Sequence, residues 1–358
     1  MMPYFTEDFA NPASAIGHFV GLDHVVTSAK QRIARSLNAE SAEQIVITSG
    51  ATEANNLAIL GAARANPSRR HLIVSTIEHP SVLEVARYLE SIGYRLSTVP
   101  VDKNGIVVAE ELRKMLTPET LLVSIMLANN ETGVVSPIRQ LCHLVKNLDP
   151  TVLFHTDATQ AVGKIPVDLA NDLSEVDLLS LSAHKFHGPK GIGALFLRDM
   201  SLIQPTLFGG GQQNSLRSGT ENPAGIIGMA QALVESCRRM ANGNTVGQIR
   251  TYLEHSLTDC FPSAIILGAA VSRLPNTCYV CLPGINGGDL VDYMASQGIA
   301  ISVGSACAHG AQTPSYVARA MGLDYVQAQQ CVRISLSTET SLEEIALFLN
   351  KLKNFPSI

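Results

Sequence analysis

Short runs of Val, Ile and Leu recur through the first two thirds of the chain, separated by longer stretches whose apolar residues repeat with a helical period. Residues 45–48 predict a strand followed by a helix through 54–65, and residues 72–75 predict a strand followed by a helix near 81–92. The runs 121–127, 152–156, 178–182 and 193–197 read as continuous buried strands. Strands that are apolar on both faces and alternate with helices predict an α/β fold, a mostly parallel sheet covered on both sides. In such sheets, ligands bind beyond the carboxyl ends of the strands. Here those ends carry Ser49-Gly50-Ala51-Thr52, Glu78-His79, Asn129-Asn130-Glu131, Asp157-Ala158-Thr159-Gln160 and His184-Lys185, so nearly every one is polar.

The pattern changes after about Met240. A helix over 246–257 leads into shorter strands at 276–282 and 331–336, with a helix near 289–297 between them and an amphipathic helix over 341–354 at the end. The expected organisation is a large domain over 1–240 and a smaller α+β domain over 241–358.

Composition narrows the function. A chain of 358 residues with a net charge of −5 shows no basic footprint, and no direct nucleic-acid binding is expected. No apolar run is long enough to span a bilayer, and Met1-Met2-Pro3-Tyr4-Phe5-Thr6-Glu7-Asp8 has no apolar signal core, so a cytoplasmic protein away from membranes is expected. The seven cysteines are scattered, which suits a reduced compartment. Cys278 and Cys281 have CxxC spacing, but they sit in a strand-like run where positions three apart face opposite ways. With no second such pair in the chain, a zinc site is not expected.

The candidate chemistry lies at two strand ends. Asp157 closes the run 152–156, and Lys185 follows the run 178–182. Pyridoxal phosphate (PLP) needs this pair: a lysine to hold its aldehyde carbon as a Schiff base, and a carboxylate to keep its pyridine nitrogen protonated. Surface strand ends often carry Asp or Lys, so neither residue means much alone. The strand–glycine turn–helix sequence at Ile47-Thr48-Ser49-Gly50-Ala51-Thr52-Glu53 offers free amides and a positive dipole to a phosphate, though an ordinary capped helix would begin the same way.

These phrases occur together with Arg217-Ser218-Gly219-Thr220, Gly304-Ser305-Ala306-Cys307 and Arg333-Ile334-Ser335-Leu336, in one order over nearly the whole chain. The ordered set resembles the cysteine desulfurases, PLP enzymes of the class V aminotransferase fold. The Gly-Ser-Ala-Cys phrase resembles the subgroup that supplies sulfur for iron–sulfur clusters and tRNA thiolation. The resemblance implies PLP fold type I and a homodimer with shared active sites. It implies that Ala51, Thr52, Ser182 and His184 hold the cofactor phosphate, with Thr220 reaching over from the second subunit. Asp157 pairs with the pyridine nitrogen, and Asn130 and Gln160 contact the phenolic oxygen side. His79 stacks on the ring and serves in proton transfer, while Lys185 carries the cofactor. Arg333 grips the carboxylate of L-cysteine, and Cys307 accepts its sulfur before passing it to an acceptor protein that the sequence does not identify. Small residues and His309-Gly310 around Cys307 predict the accessible loop that a sulfur carrier needs.

The chain departs from the family at its ends. Members usually open with a short Asp-Asn-Ala-Ala-Thr-Thr type of segment near the active site, and some carry a C-terminal tail that docks an iron–sulfur scaffold. This chain opens at Met1-Met2-Pro3 and ends at Ile358 without either. The expectation is good PLP binding with slower turnover than a version bearing the upstream segment. Two alternatives stay open at this level: another class V PLP reaction (a selenocysteine or cysteine-sulfinate lyase, or an aminotransferase), and a regulatory paralogue with weak catalysis. The first would not require Cys307.

Overall fold

The computed structural model describes residues 1–243, 245–304 and 313–356. It divides into two compact units: Met1–Val99, Ala109–Leu127 and Pro137–Asn242 in the first, and Pro100–Val108, Ala128–Ser136 and Gly243–Ile358 in the second. The chain thus passes to the second unit next to the expected boundary at 240. Residues 100–108 and 128–136, which that boundary would assign to the large domain, group instead with the second unit. Their tie is long-range: Val134 bridges Arg273, and Gly133 (φ +72°) lies so near Thr277 that an added Cβ would sit 2.9 Å from the threonine Cβ.

The first unit is built on a seven-stranded sheet of β1 (Ile45–Thr48), β2 (His71–Ser75), β3 (Arg95–Val99), β4 (Thr120–Ser124), β5 (Leu153–Asp157), β6 (Leu178–Ser182) and β7 (Gly193–Leu197), in the spatial order β1-β7-β6-β5-β4-β2-β3. The pairs β3–β2, β2–β4, β4–β5 and β5–β6 are parallel, whereas β7 runs against both β6 and β1. All strands but β7 therefore point the same way, and their carboxyl ends share one edge. Leu72, Val74, Leu122, Leu153, Leu178 and Leu195 pack on one face against Leu57 and Ala58 of the helix Ala51–Ala65 and Val82 and Val85 of the helix Pro80–Ser91. Alternation along the strands sends the fully buried Ile73, Phe154, Leu179 and Phe196 to the other face. Two strand expectations need correction. The run 121–127 is a ladder only to Ser124; beyond it the chain stays buried and still bonds β5 through Ile125 N–H to His155 O and Leu127 N–H to Asp157 O. The edge strand β3 was not anticipated, because Arg95-Leu96-Ser97-Thr98 lacks a continuous apolar run.

In the second unit β8 (Ile265–Ile266), β9 (Thr277–Cys281) and β10 (Cys331–Ser335) form an antiparallel sheet in the order β10-β9-β8. Cys278, Val280, Val332 and Ile334 pack with Leu253 and Leu257 of the helix Thr245–Cys260 and with Ile345, Phe348 and Leu352 of the helix Leu342–Lys353. Ser341 and Glu344 cap that last helix reciprocally. Cys278 joins this core, whereas Cys281 and Cys331, paired across β9 and β10, both donate to Gln327 O at 3.4 and 3.3 Å. The CxxC thiols thus serve different surroundings.

Candidate active site

The site grows from the shared carboxyl edge of the large sheet. At the end of β1 the chain turns at Gly50 into the helix Ala51–Ala65, whose N-cap offers no side-chain bond. Gly193 on β7 permits the approach: a Cβ there would lie 2.6 Å from Leu181 O and 2.7 Å from Gly50 Cα. The first-turn amides at Ala51 and Thr52, which have no partner within a helix, are thereby set beside Ser182 at the end of β6. Ser182 Oγ is in turn 3.0 Å from His184 Nδ1. Backbone amides at a helix start, a hydroxyl and an imidazole form the donor set that a phosphate group needs. The mouth of this helix is anchored from below by Glu53, which accepts from Ser49 N–H at 2.7 Å and from Arg217 at 2.6 and 3.1 Å.

Lys185 lies in the single 3-10 turn Ala183–Phe186 directly after β6, half-buried. Its positive charge is felt by both His79 and His184. His184 titrates below the usual histidine range, first through burial and then through Lys185, Lys190 and Lys164. His79 is also lowered; burial leads, Asp157 opposes it and Lys185 adds to it. Both imidazoles are therefore shifted toward the neutral form.

Asp157 closes β5 and is almost fully buried. Its Oδ1 accepts from Thr159 N–H at 2.9 Å, and its Oδ2 accepts from Asn55 Nδ2 at 2.8 Å. The same Asn55 amide nitrogen donates to Ser81 Oγ at 2.8 Å, and Ser81 Oγ is 2.8 Å from His79 Nδ1, which also accepts from Ser81 N–H at 3.1 Å. His79 Nδ1 is thus an acceptor, and the ring proton resides on Nε2. Gln160 stands one turn beyond Asp157; Lys164 Nζ holds its Oε1 at 2.8 Å, so Nε2 is the end that donates. Thr52 and His79 border a cleft of about 430 Å³.

Behind this edge lies Glu78, fully buried and pushed up to about 8, chiefly by burial and further by the charge of Asp157. Its Oε1 accepts from Ser75 Oγ at 2.5 Å and from Met126 N–H at 2.8 Å. It is a neutral acid at pH 7 with a role in packing the strand ends.

In the second unit, Arg333 on β10 donates from Nη1 to Asn130 O at 2.8 Å, so these two expected site residues are held together there. Thr220 is exposed, a short way past the anchored Arg217. Cys307 lies outside the described residues. Sequence reasoning missed Asn55 and Ser81. A signal existed for Asn55, a polar residue in the apolar stripe of Ala54, Leu57, Ala58 and Ala62.

The donor set fits PLP. Helix amides, Ser182 and His184 suit its phosphate, Asp157 suits a protonated ring nitrogen, and Lys185 suits its aldehyde. Thr159 Oγ1, two residues past Asp157, is buried without a hydrogen-bond partner among the described residues, as expected of a polar atom placed for a bound polar molecule.

Comparison with known proteins identifies the family. The family described as aminotransferase class-V matches residues 1–348. The cysteine desulfurase NifS of Azotobacter vinelandii is 42% identical over 348 residues, covering 96% of this chain and 85% of that protein. The cysteine desulfurase IscS of Dictyoglomus turgidum is 38% identical, with coverage of 99% and 89%. Among solved structures, a NifS-like protein superposes with a TM-score of 0.91 at 37% identity over 99% of this chain and 93% of that one. A structure described as SspA in complex with cysteine gives 0.82 at 34% identity over 93% and 92%. With the strand-end lysine and aspartate in place, the chain belongs to the PLP-dependent class V aminotransferases and, among them, to the cysteine desulfurases.

Proposed function

We propose that this chain converts L-cysteine to L-alanine and receives the sulfur as a persulfide on Cys307. The observation that carries the reading is the placement of Lys185 and Asp157 at adjacent ends of β6 and β5, with the neutral His79 tied to Asp157. PLP, when bound, supplies an electron sink. Asp157 holds a proton at the ring nitrogen. The amine of Lys185 would take and return the proton at the substrate Cα. His79, with Nδ1 accepting and its proton on Nε2, would serve in proton transfer beside the cofactor. Arg333 binds the substrate carboxylate with its planar fork. The Cys307 thiolate attacks the substrate sulfur; an S–S bond forms, the Cβ–S bond breaks, and Cβ takes up a proton to become the methyl of alanine. No external oxidant is needed, because the carbon gains the electrons that the sulfur loses.

The working unit is a homodimer in which Thr220 completes the partner's phosphate site. The exposed Phe5, Phe9, Ile16 and Phe19 near the N-terminus support burial against a second copy. No helix among the described residues is long and apolar enough to cross a membrane. The persulfide sulfur then goes to an acceptor protein for iron–sulfur clusters or thiolated tRNA. The SspA structure with cysteine supports cysteine as the ligand of this fold.

The test is incubation with PLP and L-cysteine, following alanine, sulfide and persulfide on Cys307. Cys307→Ser should keep the visible cofactor band and its response to cysteine while forming no persulfide. Undiminished alanine production by that variant would rule out the persulfide route.

A further inference from the structure

Asn55 is fully buried and sits one turn inside the helix Ala51–Ala65. One amide nitrogen, with two protons, serves two partners: Asp157 Oδ2 at 2.8 Å and Ser81 Oγ at 2.8 Å. Its orientation follows from its neighbour, since a carboxylate only accepts and the atom facing Asp157 must be Nδ2. The direction of the remaining bonds follows as well. With Nδ2 donating to Ser81 Oγ, the serine proton points to His79 Nδ1, where Ser81 N–H also arrives. The cost is that Asn55 Oδ1 is buried with no hydrogen-bond partner among the described residues. An amide kept only to fill space would be replaceable by an apolar residue that leaves no such orphan.

We propose that Asn55 is a positioning residue whose single amide group couples the two ring-side residues, fixing the Asp157 carboxylate and, through Ser81, the orientation and tautomer of His79. The proposal rests on the reading that Asp157 and His79 address the PLP ring. The helix geometry gives it a rationale: residues one turn apart share a face. The helix that offers its amides to the phosphate at Ala51 and Thr52 therefore also carries the amide that sets the ring-side groups. A shift of this helix would move both ends of the cofactor site together.

The experiment uses the holoenzyme and reads two quantities besides turnover: the pH midpoint of the visible cofactor band with the PLP dissociation rate, and the titration midpoint of His79 by NMR. Asn55→Leu should move both. PLP should dissociate about tenfold faster or more, as for loss of a hydrogen bond to a charged group, and the His79 midpoint should rise as the serine loses its orienting donor. Ser81→Ala should move the His79 midpoint and leave the cofactor readout near wild type. Asp157→Asn should move the cofactor readout and, by removing the Asp157 charge, lower the His79 midpoint, opposite in sign to the shift in Asn55→Leu. A folded Asn55→Leu protein with both readouts at wild-type values would overturn the coupling. If Asp157→Asn also left the cofactor readout unchanged, the assignment of Asp157 to the ring would be what had failed. Should Asn55→Leu not accumulate as folded holoenzyme, Asn55→Ser serves, because its one hydroxyl proton can hold only one arm. At least one readout should move in that variant, and neither moving would contradict the proposal.

Discussion

Two pairs of histidines occupy the same sheet and differ in what they can do. In the interior, His71 on β2 bonds Thr120 Oγ1 through Nδ1 at 2.8 Å and Ser97 Oγ through Nε2 at 2.9 Å, while His155 on β5 bonds Ser124 Oγ at 2.8 Å and Ser180 Oγ at 3.0 Å. Each ring is a rung between the two neighbouring strands. At the carboxyl edge, His79 and His184 are bonded only through Nδ1 among the described residues. Burial is the first cause of a lowered pKa in all four, so protonation state does not separate them. The free nitrogen does. His155 stands two residues before Asp157 on the same strand, yet both its nitrogens are spent holding the sheet together. Location past the last ladder residue, with one nitrogen uncommitted, marks a histidine available for chemistry.

The comparison predicts that edge substitutions cost activity and spare stability, and that interior ones do the opposite. His79→Gln should lower turnover by about 10²–10⁴-fold, the range for a lost proton-transfer group, with the melting temperature nearly unchanged. A drop of less than threefold would place His79 with the structural pair. His155→Leu should cost about 2–4 kcal/mol in denaturant unfolding, because Ser124 and Ser180 lose their buried partner. The surviving folded protein should keep most of its turnover. Loss of activity without loss of stability would break the distinction.

Acid should act on the interior pair. His71 and His155 are held down to about 4 in the folded chain, against about 6.5 when unfolded. The unfolded state therefore takes up protons first, and the stability they contribute is complete above about pH 6.5 and is lost as pH falls toward 4. By pH 5 the loss is about 2 kcal/mol for each ring. Glu78, raised to about 8, works in the opposite sense: its contribution is complete below the ordinary carboxyl range and fades as pH rises toward 8. Because Glu78 gains stability over the same interval, the histidine effect is read as a difference: between pH 7 and pH 5 wild type should lose about 2 kcal/mol relative to His155→Leu. Equal falls would mean that His155 is already charged in the folded protein. The smallest effect is expected for Glu78→Gln measured below about pH 4, where Glu78 is neutral in the folded and the unfolded chain alike. It replaces a neutral acid with a neutral amide whose oxygen can still accept from Ser75 and Met126, so stability should change by less than about 1 kcal/mol. A large destabilisation would show that Glu78 is ionised.

What could be read from the sequence follows the same division. Strands β1, β2, β5, β6 and β7 were legible because burial on both faces demands unbroken apolar runs, and the residues at their ends, Asp157 and Lys185 above all, stood out as candidate chemistry for the same reason. The edge strand β3 was not, since one partner strand and open solvent leave its residues polar. Nor was the grouping of residues 128–136, including Asn130, with the second unit, because that depends on pairing with Arg273 far along the chain. Asn55 and Ser81 matter only through bonds between helices and strands that no local pattern encodes.

The central claim, that the carboxyl edge of the large sheet is the cofactor site, is tested most directly by borohydride reduction of the holoenzyme followed by peptide mapping. The account predicts a phosphopyridoxyl group on Lys185 alone, with no such label in Lys185→Ala. Label on Lys164, Lys190 or any other lysine of the wild-type protein would contradict it.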